Sequence, residues 1–170
     1  MKAKRHQVTV IGRYDATDEQ YQMGMDIGRM LAELNITAIT GGRGGLMEAV
    51  ARGCTEAGGL SVGILPGEQF EESNEYNSVV IPSGIGYARN SMNVLAADVV
   101  IAVGGAAGTL SEMAFAWSYK RPVIALLGSG GWAEELAGKH IDHRWEQEII
   151  PATDVAEIRK ELVKLLGIDS

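Results

Sequence analysis

Short apolar runs alternate along the chain with segments in which apolar residues recur at helical spacing. The strand-like runs are Gln7–Gly12, Ile36–Thr40, Leu60–Leu65, Ser78–Ile81, Val99–Val103 and Pro122–Leu127, with a further short strand near Glu148–Pro151. Runs that are apolar on both faces and alternate with helices are typical of a parallel sheet covered on both sides. With right-handed crossovers, the pattern predicts an α/β fold: a Rossmann-like, doubly wound three-layer sandwich with a mostly parallel sheet of about seven strands.

Between these runs, apolar residues recur at the spacing of a helix. The predicted helices run from about Glu19 to Leu34, from Leu46 to Ala57, from about Tyr87 to Ala96, from the GGAAGT segment through Tyr119, from Ala133 to Ala137, and onward from Asp154. Asp18 and Asp154 are the predicted N-caps of the first and last helices. Gly24 and Gly28 are expected to bring the first helix close to the sheet. Because no interior linker or low-complexity tract interrupts the pattern, we predict one domain over residues 1–170.

Net charge and cysteine content limit the kinds of ligand and the cellular compartment that are compatible with this chain. The 170-residue chain has a formal net charge of −7, which argues against a nucleic-acid partner because binding a phosphate backbone needs a basic surface. A small phosphorylated ligand remains compatible, since a helix N-terminus can hold one without a basic patch. Cys54 is the single cysteine, which fits a reducing compartment. With no secretory signal and no apolar segment of membrane length, we expect a cytoplasmic protein without a membrane partner.

The strongest chemical signal is a glycine-rich loop between a strand and a helix, in the segment ITAITGGRGGLMEAVARG. Gly41, Gly42, Gly44 and Gly45 have no side chains, so backbone N–H groups there can approach an anion at the start of the following helix. The loop is neither GxGxxG nor a Walker A sequence. It predicts a phosphate site, and the alternative is a tight turn in which the glycines serve packing alone.

A second strand, loop and helix follow the same plan in VVIAVGGAAGTLSEMAFAW. Thr109 and Glu112 form a Thr-x-x-Glu pattern, which is typical of a capping box with a purely structural role. In the alternative, Gly105, Gly108 and Thr109 hold phosphate and Glu112 faces the ligand. Considered without other information, the pattern favours the capping box.

A third segment, PSGIGYARNSMN, places Arg89 in the first turn of a predicted helix. A cation there opposes the helix dipole, which indicates an anionic partner, either a ligand or Glu112. The alternative is an ordinary surface arginine. All three loops leave the carboxyl side of the predicted sheet, where doubly wound folds bind ligands at the point at which the strand order reverses.

Taken together, these segments resemble a known superfamily. GGRGGLMEAVARG, the Ala-Arg-Asn of Ala88–Asn90, and GGAAGTLSE followed by KRPVIAL resemble the "lonely guy" (LOG) superfamily, also called SLOG, and within it the molybdenum-cofactor carrier-like branch. The resemblance extends from about Val8 to Leu127. LOG enzymes are phosphoribohydrolases, which cleave nucleoside 5′-monophosphates to a free base and ribose 5-phosphate. By position, the resemblance implies Arg89 and Glu112 as catalytic residues and so outweighs the purely structural interpretation of Glu112, although both roles are compatible.

Departures from the LOG signature favour the carrier-like branch. Asn90 stands where LOG enzymes have a lysine, Gly104 replaces a proline, and Ala106 replaces a glycine. The carrier-like branch has been linked to holding molybdenum cofactor, a phosphate-bearing pterin, without turning it over. A lysine decarboxylase, as the superfamily is often labelled, is not expected, because that chemistry needs a Schiff-base lysine in a much larger fold.

Two functions therefore remain. The favoured one is carrier-like binding of a nucleoside monophosphate or molybdenum cofactor, with phosphate at the glycine-rich loops and Asn90 in the site. The alternative is phosphoribohydrolase activity. An NAD enzyme is not expected, because the first strand lacks a following GxGxxG.

No resident cofactor or metal is expected. His140 and His143 are more typical of a solvated loop than of a metal pair, and stacking of Trp132 on a base is a minor alternative to packing. The resemblance also implies a homodimer or homotetramer.

Overall fold

A computed structural model describes residues 5–169, and it contains one seven-stranded sheet. The strands are β1 (Gln7–Gly12), β2 (Thr37–Thr40), β3 (Ser61–Leu65), β4 (Val79–Pro82), β5 (Val99–Val103), β6 (Val123–Leu126) and β7 (Ile150–Ala152). Their order is β4-β3-β2-β1-β5-β6-β7, and all six neighbouring pairs are parallel. The predicted fold class is confirmed. Residues 1–4 and 170 of the predicted domain lie outside the described residues.

Six α-helices cover the two faces of the sheet. They are α1 (Asp18–Glu33), α2 (Leu46–Glu56), α3 (Arg89–Leu95), α4 (Ala107–Ser118), α5 (Gly131–Leu136) and α6 (Val155–Leu166), with short 3₁₀ turns at Phe70–Glu72 and Gly86–Ala88. Alternate strand residues face opposite layers: Val8 and Val10 lie in a core with α1, α2 and α6, whereas Ile11 lies in a core with α3, α4 and α5. The strand order reverses between β1 and β5, so the loops that follow these two strands diverge and leave a cleft.

The capping of the first helix differs from the sequence prediction. Thr17, not Asp18, is the N-cap of α1. Its Oγ1 accepts from the Gln20 backbone N–H at 3.2 Å, and Gln20 Oε1 accepts from the Thr17 N–H at 3.1 Å. This is a complete capping box, in which glutamine takes the place of the more familiar glutamate. At α6 the prediction is confirmed, since Asp154 Oδ1 accepts from the Glu157 N–H at 2.8 Å.

The glycines of α1 face a helix rather than the sheet, which corrects the second expectation for this helix. A Cβ on Gly28 would lie 2.2 Å from the Val50 carbonyl oxygen in α2, and one on Gly53 would lie 2.0 Å from the Met25 oxygen. The α1 and α2 backbones therefore approach each other closely. Cys54 is buried in this interface as a core residue, as predicted.

Residues 5–169 were searched for a membrane-spanning helix and for a metal-binding cluster of side chains. Within that range, no helix has the length and apolarity needed to cross a bilayer. The same residues contain no cluster of three or more His, Cys, Asp or Glu side chains suited to a metal ion. His140 lies on an exposed loop, where its Nε2 pairs with the Glu146 carbonyl oxygen at 2.8 Å.

Candidate active site

A cavity of about 400 Å³ lies at the carboxyl edge of the sheet, where β1 and β5 separate. The segments after β1, β2 and β5 line it, together with the start of α3. Six of the ten predicted site residues line this cavity: Gly41, Arg89, Asn90, Gly108, Thr109 and Glu112. The other four, Gly42, Gly44, Gly45 and Gly105, are not among its lining residues. Its volume falls within the range usual for small-molecule sites. The three sequence segments therefore meet at one place.

Arg89 and Glu112 form the charged centre of the cavity. Arg89 Nη1 lies 3.8 Å from Glu112 Oε1, and both side chains are about nine-tenths buried. Arg89 Nη1 also donates to Asn90 Oδ1 at 3.1 Å, and Nη2 donates weakly to the Gly41 carbonyl oxygen at 3.4 Å. Arg89 Nε is buried and has no hydrogen-bond partner among the described residues. Glu112 is thus an anionic partner of Arg89, one of the two predicted from the position of Arg89 in its helix.

Hydrogen bonds between α3, α4 and β1 fix this pair in place. The fully buried Asn93 donates through Nδ2 to Glu112 Oε1 at 2.9 Å. The Asn93 carbonyl oxygen in turn accepts from the Thr9 hydroxyl at 2.6 Å. Asn90 Nδ2 donates to Ser111 Oγ at 3.0 Å, which ties α3 to α4 at the rim. Asn93 was not predicted as a site residue, although its position one helical turn after Arg89 places both side chains on the same face of α3.

Burial dominates the electrostatics of the pair. It raises the pKa of Glu112 to about 7, although the Asn93 hydrogen bond and the Arg89 charge each act in the opposite direction. Burial also lowers the pKa of the Arg89 guanidinium, which the nearby Glu112 charge partly offsets. A carboxyl group that gains and loses its proton near neutral pH, facing a cavity, is a suitable general acid or base.

The helix that carries Glu112 begins differently from the capping-box expectation. Ala106 is the N-cap of α4, and no side chain caps it. Thr109 is already the third helical residue, and Glu112 turns toward Asn93 and Arg89. The capping box is therefore wrong. Gly108 and Thr109 lie in the first turn and line the cavity, so the positive end of α4 points into it.

The glycines of the loop after β2 have several roles. Gly41 lines the cavity, and a Cβ there would lie 2.7 Å from Arg89 Nη1. Gly42 has φ +79 and donates its N–H to Thr40 Oγ1 at 3.1 Å. Gly45 has φ +65, and a Cβ there would lie 2.0 Å from the Tyr14 carbonyl oxygen. A Cβ on Gly44 would lie 3.1 Å from Cε2 of the Tyr14 ring. Packing thus accounts for Gly42, Gly44 and Gly45, whereas Gly41 also lies beside the charged pair.

The loop after β5 is likewise held by internal bonds at its start. The Gly104 N–H donates to Ser129 Oγ at 2.8 Å, and the Gly105 carbonyl oxygen accepts from the Trp132 N–H at 3.3 Å. Gly105 has φ +104 and packs against the Thr109 side chain. Gly105 therefore shapes the turn, while Ala106, Gly108 and Thr109 line the cavity.

Several cavity residues were not predicted from the sequence. Arg13, Tyr14 and Asp15 follow β1, and Arg43 and Tyr87 extend from the other two loops. Arg13 and Asp15 form a two-bond ion pair, with contacts of 2.8 and 2.7 Å. The loop after β1 lies at the reversal of strand order, where ligands are expected in this fold. Its position after the first strand could therefore have indicated that its residues line the site. Trp132, the aromatic residue weighed for base stacking, is not among the residues lining the cavity.

Comparisons with known proteins agree with this architecture. The sequence matches the model of the SLOG cluster4 family over residues 5–159. It is 38% identical over 123 residues to an uncharacterized protein of Archaeoglobus fulgidus, covering 72% of this chain and 81% of that protein.

Two solved structures are similar in both fold and sequence. The molybdenum cofactor binding protein of Rippkaea orientalis has a TM-score of 0.84 and 32% identity, with 96% of this chain and 98% of that chain covered. The molybdenum cofactor carrier protein of Chlamydomonas reinhardtii has a TM-score of 0.85 and 31% identity, with 96% and 99% covered. Both similarities therefore extend over nearly the whole chain.

Proposed function

This chain belongs to the SLOG cluster4 family, in the molybdenum-cofactor carrier-like branch, and on that premise we propose that it binds molybdenum cofactor as cargo in the Arg89–Glu112 cavity. The observation that carries the proposal is the Arg89 guanidinium in a cavity into which α4 directs its uncapped N-terminus. A guanidinium and a helix N-terminus together bind phosphate well.

The phosphate of the cofactor is assigned to the space between Gly41, Arg89 and the first turn of α4. Gly41 leaves room for the guanidinium, and Gly108 presents backbone without a side chain. Arg43, whose guanidinium lies 3.2 Å from Glu72, adds a second positive charge at the rim. A nucleoside monophosphate has the same phosphate chemistry and is the second ligand class that this site fits.

The test is the pterin content of the purified protein. The chain would be expressed in a host that makes molybdenum cofactor, and the pterin released on denaturation would be oxidised and measured by fluorescence after chromatography. We expect pterin with the unaltered protein, its loss in Arg89→Gln, and its retention in Arg29→Gln. Arg29 is a matched control because it pairs with Asp26 on the exposed surface of α1. Pterin no higher than in an unrelated protein from the same host would refute the proposal.

Hydrolysis of a nucleoside 5′-monophosphate is a second candidate, favoured by the pKa of Glu112 near 7 at the cavity. In this reaction water adds to C1′ of the ribose, the N-glycosidic bond breaks, and the base leaves with a proton. Glu112 in its ionised form would accept a proton from the attacking water or stabilise the oxocarbenium-like transition state. Arg89 would hold the phosphate.

Incubation with AMP distinguishes a hydrolase from a carrier. A hydrolase releases adenine and ribose 5-phosphate, and Glu112→Gln should lower that rate by about 10²–10⁴-fold. Intact AMP after prolonged incubation, or adenine release unchanged in Glu112→Gln, would exclude this candidate while leaving the carrier function in place.

From the same family resemblance we infer a homodimer or homotetramer in the cytoplasm. Sedimentation velocity at micromolar concentration tests the assembly, and a single species with the 18.1 kDa mass of one chain would contradict it. Fractionation of the native host tests the location.

A further inference from the structure

Two exposed aromatic side chains line the mouth of the Arg89–Glu112 cavity. Tyr14 is 68% exposed and Tyr87 is 90% exposed, and they come from different segments of the chain. Large aromatic side chains usually bury most of their area, because exposure forfeits the free energy gained by removing them from water. Two such rings beside one polar cavity indicate a ligand with a flat apolar part.

Tyr14 is held in place by the glycine-rich loop after β2. The Tyr14 ring lies against Gly44, where a Cβ would be 3.1 Å from Cε2 and 3.5 Å from Cζ. Backbone contacts fix the same segment, because the Leu46 N–H donates to the Arg13 carbonyl oxygen at 3.0 Å. An ion pair joins Arg13 and Asp15, the residues before and after Tyr14 in the chain. The glycine loop thus supports an aromatic ring in addition to leaving room for Arg89.

Tyr87 lines the same cavity from the chain segment that also carries Arg89. It lies in the 3₁₀ turn Gly86–Ala88, two residues before Arg89, whose guanidinium lies at the cavity centre. Arg89 is nine-tenths buried while Tyr87 is almost fully exposed. The same short segment therefore offers a charge inside the cavity and an aromatic ring at its entrance.

We propose that Tyr14 and Tyr87 bind the heterocyclic ring of the ligand by stacking and so select ligands in which a phosphate is joined to a flat ring. This assignment rests on the proposed function, because it presumes that the phosphate occupies the space beside Arg89. Stacking is tolerant of ring identity, since every heterocycle presents a π-face. The two tyrosines thereby select the class of ligand, and polar contacts deeper in the cavity select its members.

A pair of probes isolates the ring from the phosphate. GMP and ribose 5-phosphate share the sugar phosphate, and guanine shares the 2-amino-4-oxopyrimidine ring of a pterin. The ratio of the two dissociation constants, measured by titration calorimetry on the full chain, reports the ring alone. Chromatography after each titration checks that GMP is intact.

The variants are Tyr14→Leu, Tyr87→Leu and the corresponding phenylalanine substitutions. We expect each leucine variant to lose about 5- to 100-fold in GMP affinity with ribose 5-phosphate affinity unchanged. Each phenylalanine variant should retain GMP affinity within about threefold, because the ring remains. Exposed positions tolerate these changes, so the variants should fold.

The possible results distinguish failure of the ring site from failure of the proposed phosphate site. Equal affinity of the unaltered protein for GMP and ribose 5-phosphate, or an unchanged ratio in both leucine variants, overturns the ring site but leaves the phosphate site. A change in sedimentation of Tyr87→Leu with an unchanged ratio assigns Tyr87 to contact between copies and also overturns it. Binding of neither probe by the unaltered protein overturns the ring site, and the pterin content of the purified protein then decides whether the proposed function is overturned as well.

Discussion

Asn93 donates a 2.9 Å hydrogen bond to the same Glu112 oxygen that lies 3.8 Å from Arg89. One carboxylate oxygen thus faces a neutral donor and a cation, both from α3. The pKa of this carboxyl nonetheless rises to about 7, because the loss of water around it outweighs the two favourable contacts. The Glu112 carboxyl therefore changes between its ionised and its protonated form near physiological pH.

Stability should fall as pH rises through the titration of Glu112. The folded protein binds this proton more tightly than the unfolded chain, since the pKa moves from an ordinary 4.5 to about 7. The contribution is complete below pH 4.5 and is lost by about pH 7, and it amounts to roughly 3 kcal/mol. We expect Glu112→Gln to lack it, so the difference in unfolding free energy between variant and unaltered protein should change by this amount across the window.

Urea unfolding at closely spaced pH values measures that difference. Comparison with the variant is needed because other groups titrate in the opposite sense, such as Glu157, whose pKa is lowered by hydrogen bonds from Thr153. Glu71→Gln is the control, since Glu71 is exposed. Parallel curves for Glu112→Gln and the unaltered protein would refute the assignment.

Arg89→Lys should weaken phosphate binding although it preserves the charge. Lysine lacks the planar group that contacts Asn90, Gly41 and Glu112 at once. We expect ribose 5-phosphate affinity to fall about 10- to 100-fold, as is usual on loss of a charge-assisted hydrogen bond. Titration calorimetry measures it, with Arg29→Lys as the matched control. An affinity that is unchanged in Arg89→Lys would remove Arg89 from the phosphate site.

Gly41→Ala should lower ligand affinity more than stability. The added methyl would meet the ends of two flexible side chains, Met47 Sδ at 2.6 Å and Arg89 Nη1 at 2.7 Å, and Gly41 does not need a positive φ. Both side chains can move aside, so the unfolding free energy should change by no more than about 1 kcal/mol. The displaced guanidinium should cost about tenfold in ribose 5-phosphate affinity. Full affinity with this variant would show that the position of the guanidinium is unimportant.

Gly28→Ala should destabilise the fold strongly without touching the cavity. Its methyl would meet rigid backbone, 2.2 Å from the Val50 oxygen and 2.7 Å from the Cys54 nitrogen. Separation of α1 from α2 should cost roughly 3 kcal/mol. Gly108→Ala is the control: nothing lies within 4 Å of its Cβ position, so stability should hold or rise by less than about 1 kcal/mol. Equal stability of the two variants in urea would contradict the close contact between the helices.

Much of the fold could be predicted from the sequence, because a buried parallel strand appears as a short continuous run of apolar residues. Val99–Val103, apolar throughout, was predicted to the residue. The errors in the helix starts arose where more than one residue nearby could begin the helix. Thr17 and Asp18 are both good N-caps, and Gln20 decided between them. The pattern Thr109-x-x-Glu112 fits a capping box, but the helix had already begun at Ala107.

The central charged pair of the site was predictable from the sequence, whereas its aromatic residues were not. Arg89 was noticeable because a cation in the first turn of a helix opposes the helix dipole. Glu112 was noticeable because it follows a glycine-rich loop. Tyr14 follows β1 without any motif, and only the strand order places it at the cavity. Trp132 has a more suggestive glycine-rich neighbourhood but lies beyond the cavity lining. Proximity across the sheet edge is a property of topology, which local sequence patterns do not report.

Arg89 and Asn93 are separated by one turn of a single seven-residue helix. A small tilt of α3 against α4 would therefore loosen the guanidinium and the amide from Glu112 together. With both contacts weakened, the carboxyl would take up a proton as the arginine became free to move. If the cavity holds an anion as proposed, its retention and the protonation of Glu112 would therefore change together with the position of α3.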